Sequence, residues 1–150
     1  LSIFMKKILL LVLVAGLLYA CKKDDKIGTK PVISFKGYSV DSVFPGLQQM
    51  DVVLNVQDGD GDIEDTLMIA PLKDGNGPNQ DTLYAIKKMP EIGANKGNSV
   101  KAEVYINLLT TDFATGQSIP DDSIHFVIFI RDNAGNISDT IATPKIPYRQ

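Results

Sequence analysis

Three aspartates, Asp58, Asp60 and Asp62, place carboxylates at alternate positions of one short Asp/Gly segment. Calcium takes about six to eight oxygen ligands, and closely spaced carboxylates and carbonyls commonly supply them. Without a cation the three charges repel one another, although solvent exposure and salt reduce that cost. The spacing therefore indicates a candidate calcium site, and Ca²⁺ is the cofactor that we expect there.

The pattern begins like the loop of an EF-hand and then departs from it. Ile63 stands where that loop needs glycine, and Ile69 stands where it needs a bidentate glutamate. A site built on the three aspartates must therefore be completed from elsewhere in the fold. Asp132 is the fourth candidate metal ligand, and three neighbours could add further oxygens: Glu64, Asp65 and Asn133. The alternative is an Asp/Gly turn that side-chain-to-backbone hydrogen bonds hold without any ion.

His125 is the single histidine, and it lies within an apolar run that indicates a strand. General base catalysis needs a partner that orients the ring and a nucleophile within reach, and the sequence shows neither. We interpret His125 as a strand residue at a sheet surface, and the pair Asp121-Asp122 as solvated loop charge. Because no nucleophile elbow, histidine metal motif or phosphate loop occurs, we expect no catalytic residues and no enzyme activity.

Cys21 is the single cysteine, and it directly follows a short apolar run with a basic start. Lys6 and Lys7 precede the 13 residues Ile8–Ala20. A membrane-spanning helix needs about 20 apolar residues, so this run is too short to span and is typical of a removable signal peptide. Since the chain has no second cysteine, an internal disulfide is excluded.

The sequence Leu18-Tyr19-Ala20-Cys21 resembles the lipobox of bacterial lipoproteins. That resemblance implies that residues 1–20 are a signal peptide, with Met5 as the expected true start. It also implies a covalent lipid on the thiol of Cys21, which would anchor the protein to a membrane. Residues 21–30 would then form a lipidated tether, and residues 31–150 would form the domain.

The residues after Cys21, Lys-Lys-Asp-Asp, resemble the export signal on surface lipoproteins of the Bacteroidota. The resemblance implies an outer-membrane lipoprotein that is exposed on the cell surface. A solvated tether without a specific signal, on the periplasmic face of the membrane, is the alternative.

The net charge of the chain limits the classes of partner that it can bind. The net charge of −3 becomes −5 when Lys6 and Lys7 leave with the signal, because residues 1–20 hold no acid. A nucleic-acid-binding protein needs a basic patch that displaces counterions from phosphate, so we expect no nucleic acid partner. Electrostatic adhesion to anionic lipid is disfavoured for the same reason, so membrane contact depends on the lipid anchor.

Apolar and polar residues alternate along the segments after the tether, which is typical of strands. In Val100–Leu108 the even-numbered residues are apolar, which predicts one buried face and one solvated face. Ile124–Ile130 is apolar on both faces, which predicts a central strand or a face that meets a partner. The segments predict an all-β domain, a single β-sandwich of about seven strands: Val32–Phe35, Val52–Val56, Thr66–Leu72, Thr82–Lys87, Val100–Leu108, Ile124–Ile130 and Ile137–Thr143. The domain resembles the broad immunoglobulin-like and fibronectin-III-like group of sandwiches.

Two segments, Asp58–Thr66 and Asp132–Thr140, match at five of nine positions. Each follows an apolar strand, so we expect two similar loops that lie side by side at one end of the sandwich. The shared glycine should adopt a positive φ, and the shared isoleucine should fill the end of the core. Both loops resemble those of secreted bacterial immunoglobulin-like domains, especially in Bacteroidota lipoproteins.

Two functions of different classes fit these features. The first is a non-catalytic binding or adhesion module that holds a glycan, a peptide or another envelope protein. The alternative is a structural or accessory subunit of an outer-membrane nutrient-uptake or envelope assembly, with Phe129, Val127 and Tyr105 as its docking surface. Packing inside the sandwich is the other explanation for Val127 and Phe129. A small hydrolase is a third class, for which the sequence offers no catalytic set.

Overall fold

The computed structural model describes residues 27–76, 82–90, 97–114 and 122–149. Cys21 and the whole predicted signal peptide lie outside the described residues. The described chain forms eight strands, a 3-10 turn at Asp74–Asn76 and one short helix, α1 (Thr110–Phe113). None of its helices is long and apolar enough to cross a membrane. The strands are β1 (Val32–Tyr38), β2 (Gln49–Asp58), β3 (Thr66–Lys73), β4 (Ala85–Lys88), β5 (Val100–Leu109), β6 (Asp122–Arg131), β7 (Ile141–Ala142) and β8 (Ile146–Tyr148).

The strands form two antiparallel sheets, which confirms the predicted all-β sandwich. One sheet has the order β1-β2-β5, and the other has the order β4-β3-β6, with β7 and β8 both paired to β6. The sequence predicted one strand over Ile137–Thr143, whereas the chain forms the short β7 and then β8. Pro144 separates them, since proline has no N–H to donate to a ladder.

The core lies between the sheets and follows the predicted alternation. Even-numbered residues of β2, β5 and β6 point inward, while odd-numbered residues face outward. Inward side chains from both sheets form one apolar cluster. Its fully buried members include Val52, Leu54, Val56, Phe126, Ile128 and Ile130.

The same alternation of inward and outward residues places two aspartates at one end of the core. Asp58 occupies the inward position that follows Val56 in β2, and it is 0% exposed. Asp132 continues the even-numbered series of β6 just past the end of that strand, and it is 1% exposed. The strand geometry therefore buries both carboxylates before any loop contact is considered.

The outer faces of the two sheets correct one sequence interpretation. Val127 and Phe129 are half-buried on the outer face of β6, so packing inside the sandwich does not explain them. Tyr105 lies on the outer face of β5, in the other sheet, so it does not share one sheet face with them. His125 is half-buried on the outer face of β6, as the sequence predicted.

Candidate metal centre

The two similar loops lie together, as predicted. One of them connects strands of different sheets, whereas the other connects strands of the same sheet. The loop from Asp58 to Asp65 crosses from the three-stranded sheet to the five-stranded sheet, whereas the loop after β6 stays within the second sheet. The backbone N–H of Asn133 donates to the carbonyl of Asp62 at 2.9 Å. Gly61 and Gly135 have φ of 67° and 91°, which confirms the positive φ expected at the shared glycine.

The two isoleucines that the loops share, Ile63 and Ile137, differ in solvent exposure. Ile63 is 0% exposed and fills the end of the core, as expected, but Ile137 is 51% exposed, so the prediction for that residue was wrong. Ile137 pairs with Arg131 across the hairpin, and directly opposed residues point to the same face. Because Arg131 is exposed on the outer face, Ile137 points outward with it, whereas Ile63 lies on the crossing between sheets.

The loop brings Asp58, Asp60 and Asp62 together as the sequence predicted. One carboxylate oxygen from each lies within 4.8 Å of the other two. The Oδ1 atoms of all three are buried and accept no hydrogen bond within the described residues. The Oδ2 atom of Asp58 accepts a bond from the backbone N–H of Asp62 at 3.1 Å, which is the turn bond of the alternative interpretation. That turn bond leaves the three Oδ1 atoms without a donor.

Burial and like charge act together on these acids. Desolvation is the main cause that raises the pKa of Asp58, and a close contact with the Asp60 carboxyl adds to it. Desolvation likewise raises the pKa of Asp62, followed by repulsion from Asp132. Both shifts oppose the ionised state, so a proton or a cation would stabilise the cluster.

The other candidate ligands have partners of their own. The carboxylate of Asp132 accepts bonds from the backbone N–H and the side-chain amide of Asn136, at 2.7 and 2.8 Å. Asp65 accepts a bond from Nε of Arg131 at 2.7 Å, and Glu64 also has a partner. Asp132 therefore lies beside the cluster as a like charge, and the candidate cation ligands that lie together are the carboxylates of Asp58, Asp60 and Asp62.

Sequence reasoning did not foresee that the end of the tether docks on these loops. The carbonyl of Gly28 accepts a bond from the N–H of Gly59 at 3.0 Å, and the carbonyl of Thr29 accepts one from the Asn136 side chain at 3.3 Å. Lys30 pairs with Asp139 at 2.6 Å. No local sequence pattern predicts these contacts, because they join segments that are far apart in the chain.

Asp122, predicted to be solvated, is 6% exposed at the opposite end of the sandwich. Its Oδ1 atom accepts bonds from the N–H groups of Gly75 and Ser123, so it holds the 3-10 turn against β6. Asp121 lies outside the described residues.

Ser123, Asp74 and His125 lie near one another, but they are not arranged for catalysis. The Ser123 hydroxyl donates to Asp74 at 2.6 Å rather than to the ring. Burial lowers the pKa of His125, and its buried Nδ1 atom has no hydrogen-bond partner within the described residues. A histidine that activates a serine must accept the proton of that hydroxyl.

Calcium should stabilise the domain against heat. If 10 mM calcium is about tenfold above Kd, binding adds about 1.4 kcal/mol to the free energy of unfolding and raises Tm by about 5 °C. Asp62→Asn should lose most of this shift, whereas Asp41→Asn, at an exposed acid, should keep it. Thermal unfolding followed by circular dichroism provides the measurement. Equal Tm values in EDTA and in calcium would contradict the site.

Asp58 and Asp62 should stabilise the metal-free domain more in mild acid than at neutral pH. A folded-state pKa above the ordinary value of 3.8 means that the folded chain binds protons more tightly than the unfolded chain. The stabilising contribution of Asp58 and Asp62 to the free energy of unfolding is therefore present at low pH. It is lost as the pH rises through their raised pKa values. In EDTA, urea unfolding at several pH values should show this slope in wild type, and Asp62→Asn should reduce it. An unchanged slope in that variant would rule out the cluster as its source.

The comparisons with known proteins returned no relatives. No model of a known protein family matches the chain. A search of curated proteins likewise found no match. No solved structure matches it either.

Proposed function

We propose that this chain is a non-catalytic binding module that depends on a divalent cation and is held at the outer membrane by a lipid on Cys21. The observation that carries the proposal is the cluster of three aspartates, whose buried Oδ1 atoms accept no hydrogen bond from the part of the chain that the structure describes. Buried charges cost several kcal/mol unless a partner compensates them. A cation would remove that cost and fix the crossing loop.

Calcium is the cation that fits these donors best. The candidate ligands that the described residues bring together are all carboxylates, which suits a hard cation rather than zinc or copper. An irregular loop that carries several carboxylates and carbonyls suits the flexible coordination of calcium better than the strict octahedron of magnesium. Calcium at this position would stabilise the fold and would not take part in a reaction.

The outer face of the three-stranded sheet supports a glycan as the ligand. Cross-strand register places Ser34, Asn55 and Glu103 in one row and Gln57 beside Lys101 in the next. These residues line a depression of about 330 Å³, and the ring of Tyr105 stands exposed on the same face. Amides, a hydroxyl and charges of both signs supply donors and acceptors that sugar hydroxyls need.

A second function, an accessory subunit of an envelope assembly, is favoured by the opposite face. Register places Ile86, Met68 and Phe129 side by side across β4, β3 and β6. Tyr84 packs edge-on against Phe129 with ring centroids 5.1 Å apart, and Leu83 is 80% exposed. A contiguous apolar patch of this kind is typical of protein contacts.

Glycan binding should depend on the polar depression. On a glycan array in the presence of calcium, the full chain should bind a set of oligosaccharides, and Asn55→Ala should weaken that binding at least tenfold. Thr140→Ala, at an exposed residue of another region, is the matched control and should bind as wild type does. No binding to any glycan, together with co-purification of a membrane protein that Ile86→Glu abolishes, would favour the accessory subunit instead.

The anchor depends on one residue and is tested separately. Cells fed a lipid analogue should label the wild-type chain, and protease added to whole cells should remove it from the surface. Cys21→Ala should lose both the label and membrane association, because the thiol is the attachment atom. Retention of either in that variant would contradict the lipoprotein assignment, and protection from protease would favour the periplasmic face.

A further inference from the structure

We infer that the cation site also holds the membrane tether against the domain, an arrangement called the tether clamp below. Calcium would then control the position of the sandwich relative to its lipid anchor. In the loaded state the aspartate loop holds Ile27–Lys30 against the domain, and in the cation-free state that segment is released. This inference rests on the proposed function, because it needs a cation at Asp58, Asp60 and Asp62.

Both loops of the candidate metal centre touch the tether through residues beside the acids. Gly59, between two of the clustered aspartates, donates its N–H to the carbonyl of Gly28 at 3.0 Å. The Asn136 side chain donates to the carbonyl of Thr29 at 3.3 Å and to Asp132 at 2.8 Å. A change in the position of either loop therefore moves a donor that holds the tether.

Gly59 is the closest point of this contact. A Cβ atom at position 59 would lie 2.2 Å from the carbonyl oxygen of Ile27 and 2.6 Å from that of Gly28. These distances are far below ordinary van der Waals contact, so the tether reaches the loop only because this residue has no side chain. The φ of Gly59 lies outside the left-handed region, so alanine there would displace the tether without straining the loop.

The coupling follows from the electrostatics of the loop. Without a cation, repulsion among the aspartates favours arrangements that separate them, and Gly59 lies between two of those residues. A bound cation draws the carboxylates together and holds the Gly59 N–H toward the tether. Linkage is reciprocal: the factor by which the cation favours tether docking equals the factor by which docking raises cation affinity. The exposed pair of Lys30 and Asp139 adds little to this coupling.

Docking would keep the loop end of the sandwich close to the bilayer. Five residues separate Cys21 from Ile27, and even fully extended they let the docked segment lie only about 20 Å from the lipid attachment. Release of Ile27–Lys30 lengthens the free linker and lets the domain reorient. Extracellular calcium would then act on the presentation of the module as well as on its stability.

The test measures cleavage of the Lys26–Ile27 bond by the lysine-specific protease Lys-C in the full chain, purified in mild detergent. A protease must accommodate extended chain on both sides of the bond, so docked residues resist cleavage. Calcium should slow this cleavage at least tenfold relative to EDTA in wild type. Gly59→Ala should be cleaved equally fast in both and should bind calcium more weakly by a similar factor. Gly37→Ala is the matched control, since a Cβ there meets no atom within 4 Å, and should behave as wild type does.

The outcomes separate this inference from the proposed function. A calcium-induced rise in Tm with unchanged cleavage at Lys26–Ile27 would overturn the tether clamp and leave the cation site standing. Full slowing by calcium in Gly59→Ala would overturn it as well. No change in Tm with calcium would remove the cation site, and the clamp would fall with it.

Discussion

The burial of like charges at one end of the sandwich is the constraint on which the rest of this structure depends. Strand alternation points Asp58 and Asp132 into the same end of the core as the apolar residues that precede them. Asp62 then joins Asp58 from the crossing loop, and the pKa of each is raised. The loops, their glycines and the docked tether are all arranged around this group of acids.

The two ends of the sandwich differ in the side chains that surround their buried charges. At the end opposite the aspartate cluster, Lys73 is also buried, with its Nζ atom 4.0 Å above the ring of Tyr148 and the opposite charge of Asp122 nearby. Charges of both signs and an aromatic face meet there, so that end is balanced by its own side chains. At the loop end three carboxylates converge instead, and that is where we propose an external cation.

The outer faces also differ, and each face is the basis of one of the two proposed functions. The three-stranded sheet presents a polar depression, whereas the five-stranded sheet presents a row of apolar residues around Phe129. A glycan suits the first face because its hydroxyls need many donors and acceptors, and a protein suits the second because apolar surface gains from burial. Residues 28 and 29 contact the loops at one end of the sandwich rather than either outer face.

Sequence alone determined the all-β class, most strands, the three clustered aspartates and the pairing of the loops, because alternation and turn residues are local signals. It could not separate Ile63 from Ile137, since only the assignment of strands to sheets decides which loop crosses over the core and which stays in one sheet. Nor could it place Phe129 on an outer face or bring Gly28 to Gly59. Those outcomes depend on contacts between segments distant in the chain, and only the packing of the two sheets brings such segments together.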